Sequence, residues 1–173
     1  MKREYLLVDG YNIIHAWPEL MELSEVSLES ARYRLMDIMS NYQGLNNGLT
    51  VIVVFDGYLV KGSLGAILEY NNIFMVFAKE AETADHYIEK TVNKMPRECK
   101  IRVATSDGLE QLIILGNGAI RMSARELKLE VEDAQNTMRE EFINNKPPKN
   151  NLLMDNLDEH TRSILEAMRR QKK

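Results

Sequence analysis

The chain has one cysteine, four prolines and one tryptophan in 173 residues, and no apolar run long enough to span a bilayer. The lone Cys99 excludes an internal disulfide and reads as a buried, reduced thiol, in keeping with the cytoplasm. Basic residues open the chain, but only Tyr5 to Val8 are apolar before Asp9. That is too short for the core of an export signal, so a cytoplasmic location is expected. His15, His86 and His160 lack zinc-ligand spacing, and one thiol adds nothing to a zinc set. Gly116-Asn117-Gly118 is not a dinucleotide fingerprint; after the helical segment Leu109 to Leu115 it reads as a helix end and turn. An excess of positive charge is also missing. The formal net charge of −4 argues against a protein that simply coats nucleic acid. It leaves room for an enzyme whose carboxylates hold cations.

What is present is ordinary globular material, 45% hydrophobic and 28% charged, enough for one domain plus an appendage. Short β-branched runs alternate with stretches of helical periodicity, which predicts an α/β domain with a mainly parallel sheet. Strands are expected at Tyr5 to Val8, Thr50 to Phe55, Ile73 to Phe77, Lys100 to Ala104 and near Ala119 to Met122. Leu28, Ala31, Leu35, Ile38, Met39, Tyr42 and Leu45 form the apolar stripe of a long helix, and Ala84, Tyr87, Ile88, Thr91, Val92 and Met95 that of another. A third helix carries Leu127, Val131, Ala134, Met138 and Phe142, opened by the capping box Ser123 and Glu126. Residues 1–145 are therefore expected to form the main domain. The Pro147-Pro148 stretch is a linker, and 146–173 ends in a short basic amphipathic helix with Leu157, Ile164, Leu165 and Met168 on its apolar face. From Lys146 onward seven basic and four acidic residues leave the tail at +3, so the main domain carries −7.

Three apolar runs each end in Asp-Gly: Leu-Leu-Val-Asp9, Val-Val-Phe-Asp56 and Ala-Thr-Ser-Asp107. In a parallel sheet such positions gather along one edge, where ligands bind, and the glycines are expected to let the backbone turn tightly. Any single Asp-Gly is as often a plain turn former. Together the three carboxylates repel unless a cation sits between them, and hard oxygen donors suit Mg²⁺ or Mn²⁺. Asp85, in the first turn of a helix that Thr83 can cap, is a fourth candidate or simply a favourable charge at a helix start. Asn12 either points its amide at a phosphate or satisfies nearby backbone, and spacing alone favours the second. Thr105 and Ser106 offer hydroxyls to the site or cap the helix that follows. Tyr11, Trp17 and Tyr58 either stack bases or, as aromatics more often do, fill gaps beneath the loops; Lys61 and Lys79 either contact phosphate or, like most lysines, are solvated; Tyr11, Tyr58, Lys61 and Lys79 are carried forward as the RNA-contacting candidates.

The segments Leu7-Val8-Asp9-Gly10-Tyr11-Asn12-Ile13-Ile14, Val53-Val54-Phe55-Asp56, Glu82-Thr83-Ala84-Asp85 and Thr105-Ser106-Asp107 follow the order found in the bacterial YacP-like NYN proteins, which this chain resembles over residues 4 to 145. The resemblance implies a PIN-like three-layer fold and a divalent-metal-dependent endoribonuclease. Asp9, Asp85 and Asp107 match the family's acidic, metal-holding positions, and Asp56 and Asn12 match supporting ones. It also implies that the RNA is mRNA under translation and that the ribosome is a partner. The corresponding chemistry is hydrolysis of a phosphodiester by metal-activated water. An alternative from another class is a non-catalytic RNA- or ribosome-binding adaptor, which the basic tail permits. A phosphatase or receiver fits less well, because the first strand lacks Asp-x-Asp and no lysine follows a later strand where a receiver needs one.

Overall fold

A computed structural model describes residues 3–57, 65–79, 82–96, 98–106 and 119–144, apart from the side chains of Phe142 and Asn144. The chain divides into two compact units, Met1–Met138 and Arg139–Lys173. The first unit holds the sheet.

Strand β1 (Glu4–Asp9) is the sheet's interior. Its Leu6, Leu7 and Val8 have no exposed surface, as expected when an uninterrupted apolar run is covered on both faces. Three helices follow it, α1 (Gly10–Ala16), α2 (Pro18–Val26) and α3 (Leu28–Leu45), and they return the chain to β2 (Leu49–Phe55). Next come the hairpin strands β3 (Ile67–Tyr70) and β4 (Ile73–Phe77), then α4 (Ala84–Lys94), β5 (Lys100–Ala104), β6 (Ile120–Met122) and α5 (Ala124–Asn144). The sheet order is β3-β4-β2-β1-β5-β6. Only the β3–β4 pairing is antiparallel.

Strand alternation divides the core into two layers. Leu6, Val8, Val51, Val53 and Phe55 face the helices α1–α3 and the start of α5, whereas Leu7, Val54 and Val103 face Ala84, Ile88 and Val92 of α4. The result is the expected three-layer α/β sandwich. From β1 the chain winds outward to β2 and β4; α4 then carries it back across the other face to β5, on β1's free side. The winding direction therefore reverses between β1 and β5, and open parallel sheets form a ligand-binding crevice at such a point, outside the carboxyl ends of the strands.

Strand β3 and helices α1 and α2 are absent from the sequence expectations. Ile67 and Leu68 are mostly exposed on the outermost strand, so no in-out alternation marks it; Asn71, at φ +53°, supplies the tight turn into β4. Pro18 sits in the first turn of α2, where its missing N–H costs nothing. The capping box appears as expected, with Ser123 N donating to Glu126 and Glu126 N donating to the Ser123 hydroxyl. Cys99 is half-buried rather than buried, at the flank of the α4 layer. The expected helix at 109–115 and the tail helix lie outside the described residues.

Trp17 links the first helices to the last. Its ring is 2% exposed, and its indole N–H donates to the Ala124 carbonyl at 2.8 Å. Trp17→Phe, which keeps most of the apolar bulk and removes the donor, is expected to lower stability by about 1–3 kcal/mol. Chemical denaturation would show this as a lower midpoint with an unchanged slope.

Candidate active site

The carboxyl ends of β1, β2, β4 and β5 form one edge. β1 ends in Asp9, whose neighbour in register on β2 is Val54; one residue further, Phe55 pairs with Phe77 on β4. Asp9 is 6% exposed and caps α1 by accepting from Asn12 N at 3.1 Å. Burial, and then the nearby carboxylates of Asp85 and Asp56, push its pKa up to about 7 against the hydrogen bond from Asn12. Asp85, exposed in the first turn of α4, lies within hydrogen-bond reach of Asp9. The pair joins the end of the central strand to the helix that crosses behind it.

Asp85 is placed there by two caps. The Thr83 hydroxyl accepts from His86 N at 3.3 Å, as expected, and Asp56 Oδ1 accepts from Ala84 N at 2.7 Å. Asp56 thus anchors the start of α4 from the end of β2. The loops after β2 and β4 touch backbone to backbone: a Cβ on Gly57 would lie 1.8 Å from the Ala78 carbonyl oxygen. The same contact brings the backbone of exposed Lys79 against Gly57, while its side-chain stem lies along Gly65.

Asn12 reaches across the reversal point. Its Oδ1 accepts from Ser106 N at 2.6 Å, so the β5 end is held against the first turn of α1. The side chain satisfies backbone, as its type suggests, but that backbone lies 94 residues away, a distance no local motif reveals. Thr105 is fully buried, and its N–H donates to the Met122 carbonyl. Among the described residues, no three His, Cys, Asp or Glu side chains are grouped to hold a metal. Asp107, Tyr58 and Lys61 lie outside the described residues.

Two expectations need correction. Tyr11 is not a platform for bases: its ring is 5% exposed and packs edge-on against Phe55 at 5.1 Å, while its hydroxyl accepts from Arg32 Nη1 at 2.9 Å. Trp17 is buried likewise. The glycine after Asp9 is no tight-turn device either. Gly10 begins α1, and a Cβ there would lie 2.2 Å from the Phe55 ring; close packing, rather than backbone freedom, demands it. Sequence inspection also passed over Arg32, which stands on α3, far from any motif. Among the described residues it joins this edge through Tyr11 and through Phe77, whose ring centroid is 5.8 Å from its guanidinium carbon.

Comparison with known proteins agrees with this geometry. Residues 6–170 match the family model described as YacP-like NYN domain. A protein named YacP from Bacillus subtilis strain 168 is 49% identical over 130 residues, 75% of each chain. A crystal structure of Rae1 (YacP) from Bacillus subtilis superposes with a TM-score of 0.69 at 41% identity, covering 98% of this chain and 95% of that one. A tryptophan-to-leucine mutant of the same Bacillus subtilis protein gives 0.70 at 38% identity, covering 95% and 99%. This chain therefore belongs to the YacP-like NYN domain family, within the PIN-like nucleases, and has a nuclease-like role in RNA chemistry.

Proposed function

We propose that the protein is a divalent-metal-dependent endoribonuclease, with Asp9, Asp85 and Asp107 holding Mg²⁺ or Mn²⁺. The observation that carries this reading is the pairing of Asp9, buried and raised to about 7, with the Asp85 carboxylate. Burying a carboxylate beside like charges is costly unless a proton or a cation offsets it. Oxygen donors on two different elements suit a hard cation, so the residues present fit the metal. Bound there, such an ion supplies activation of water and neutralisation of charge on the phosphate.

The rest of the work falls to the chain itself. Asp56 fixes the α4 start and so the direction of Asp85. Asn12 holds Ser106, the residue before Asp107, toward Asp9. Lys79 and, by their place in the sequence, Lys61 and Tyr58 are proposed to contact the RNA. Family likeness supports mRNA under translation as the substrate, the ribosome as partner and the cytoplasm as the location; no helix among the described residues is long and apolar enough to cross a membrane. The basic tail, 146–173, is proposed as an appendage to the catalytic domain 1–145.

Asp9→Asn keeps the oxygen that caps α1 but removes the charge, so it separates catalysis from folding. Cleavage of RNA should be abolished, while the metal-free variant should melt several degrees higher than wild type at pH 8. Full activity in Asp9→Asn would sink the nuclease reading.

The pH dependence has a definite sign. A carboxyl whose folded pKa lies above its unfolded value stabilises the fold below about pH 4, and this contribution is lost as pH rises through about 7. Metal-free protein should therefore lose on the order of 4 kcal/mol across that window. Added Mg²⁺ or Mn²⁺ should restore it above pH 7, as followed by thermal melts.

Removing the metal tests the chemistry directly. EDTA should stop cleavage and either cation should restore it, read as new RNA ends on a gel. Undiminished cutting in EDTA would exclude metal dependence.

A further inference from the structure

We infer that Arg32 is an RNA-phosphate clamp of this active-site edge, aimed by the Tyr11 hydroxyl and the Phe77 ring; the inference rests on the endoribonuclease reading and assigns it a substrate-binding residue.

Arg32 lies in the second turn of α3, the end of that helix nearest the carboxyl ends of the strands, and is half-buried. Its guanidinium is fixed on two sides. Nη1 donates to Tyr11 Oη at 2.9 Å, and the group stands over Phe77, the last residue of β4. Phe77 stacks on Phe55 at 5.7 Å, and Phe55 meets Tyr11 at 5.1 Å. This aromatic row runs along the same edge as Asp9 and Asp56, which lie two residues before Tyr11 and one after Phe55.

The charge on Arg32 meets no carboxylate in the ion pairs of the described residues. Arg102, Lys100, Lys128 and Lys90 do have acidic partners. A half-buried arginine that has no counter-ion among the described residues, in a domain of net −7, is well suited to an anion arriving from outside. The planar guanidinium has five N–H donors, and the bond to Tyr11 engages one of them. The remainder suit the paired oxygens of a phosphodiester. The position, beside rather than within the carboxylate pair, fits a backbone phosphate flanking the cut bond. Exposed Lys79 follows Phe77 by two residues in the chain, with its stem along Gly65.

The test is binding of a fluorescein-labelled single-stranded RNA oligonucleotide by full-length protein in the Asp9→Asn background, followed by anisotropy over a salt series. Arg32→Gln should weaken binding about tenfold and reduce the slope of log affinity against log salt by about 0.7, the value for one phosphate contact on a single strand. Arg32→Lys should keep the slope while losing part of the affinity, and Tyr11→Phe, which frees the guanidinium, should do the same. In proteins with Asp9 intact, Arg32→Gln should raise KM more than it lowers kcat. Thermal melts identify any variant that is merely unfolded, and the lysine variant then carries the comparison.

Unchanged affinity and slope in Arg32→Gln, or no RNA binding by the parent, would overturn the clamp. Wild-type cleavage with an unaltered KM in Arg32→Gln would overturn it while leaving the nuclease reading intact. Arg32-dependent binding with no cleavage in any metal would have the opposite meaning.

Discussion

A carboxylate at the buried end of the central strand poses an electrostatic problem that organises everything around it. Asp9 follows three residues without exposed surface and is itself nearly covered, so its charge is poorly hydrated. Among the described residues the fold answers with one backbone N–H, from Asn12. It then adds to the difficulty by bringing Asp85 and Asp56 close. An arrangement selected for stability alone would place an apolar residue here. A carboxyl so buried and crowded is a candidate functional group rather than a stabilising one.

The four residues Asp9-Gly10-Tyr11-Asn12 divide the labour of building that site. Asp9 provides the carboxylate, Gly10 lets the helix start lie on the Phe55 ring, Tyr11 orients Arg32, and Asn12 draws in the end of β5. Each faces a different element of the sheet edge. The sheet makes this possible because winding reverses between β1 and β5, so one turn of helix at that point reaches structures on both sides.

Much of the architecture was legible in the sequence because burial leaves a periodic record. The interior strands are continuous β-branched runs, and α3, α4 and α5 carry stripes three and four residues apart. Elements without a strong stripe were not legible. Edge strand β3 exposes Ile67 and Leu68 on a margin that has only one neighbour, so its composition does not alternate. The short α1 and α2 owe their form to caps and contacts from afar, as with Trp17 on Ala124. At the sheet edge, residue type pointed to Asp9, Asp56 and Asp85, which the fold brings near one another, and to the Thr83 cap. It misjudged Tyr11 because an aromatic next to an acidic site reads alike whether it faces solvent or the core. Only Phe55, 44 positions downstream in the chain, decides that question. Asn12 and Arg32 were opaque for the same reason, since their partners are brought near by topology alone.

The hydrogen bond between Asn12 and Ser106 also has a bearing on biosynthesis. Its two ends are made far apart in time, so a growing chain that has released only the first strand, its helices and β2 lacks the contact that gathers the β5 end toward Asp9. In such a design the sheet edge is completed late, once 106 of the 173 residues have been made.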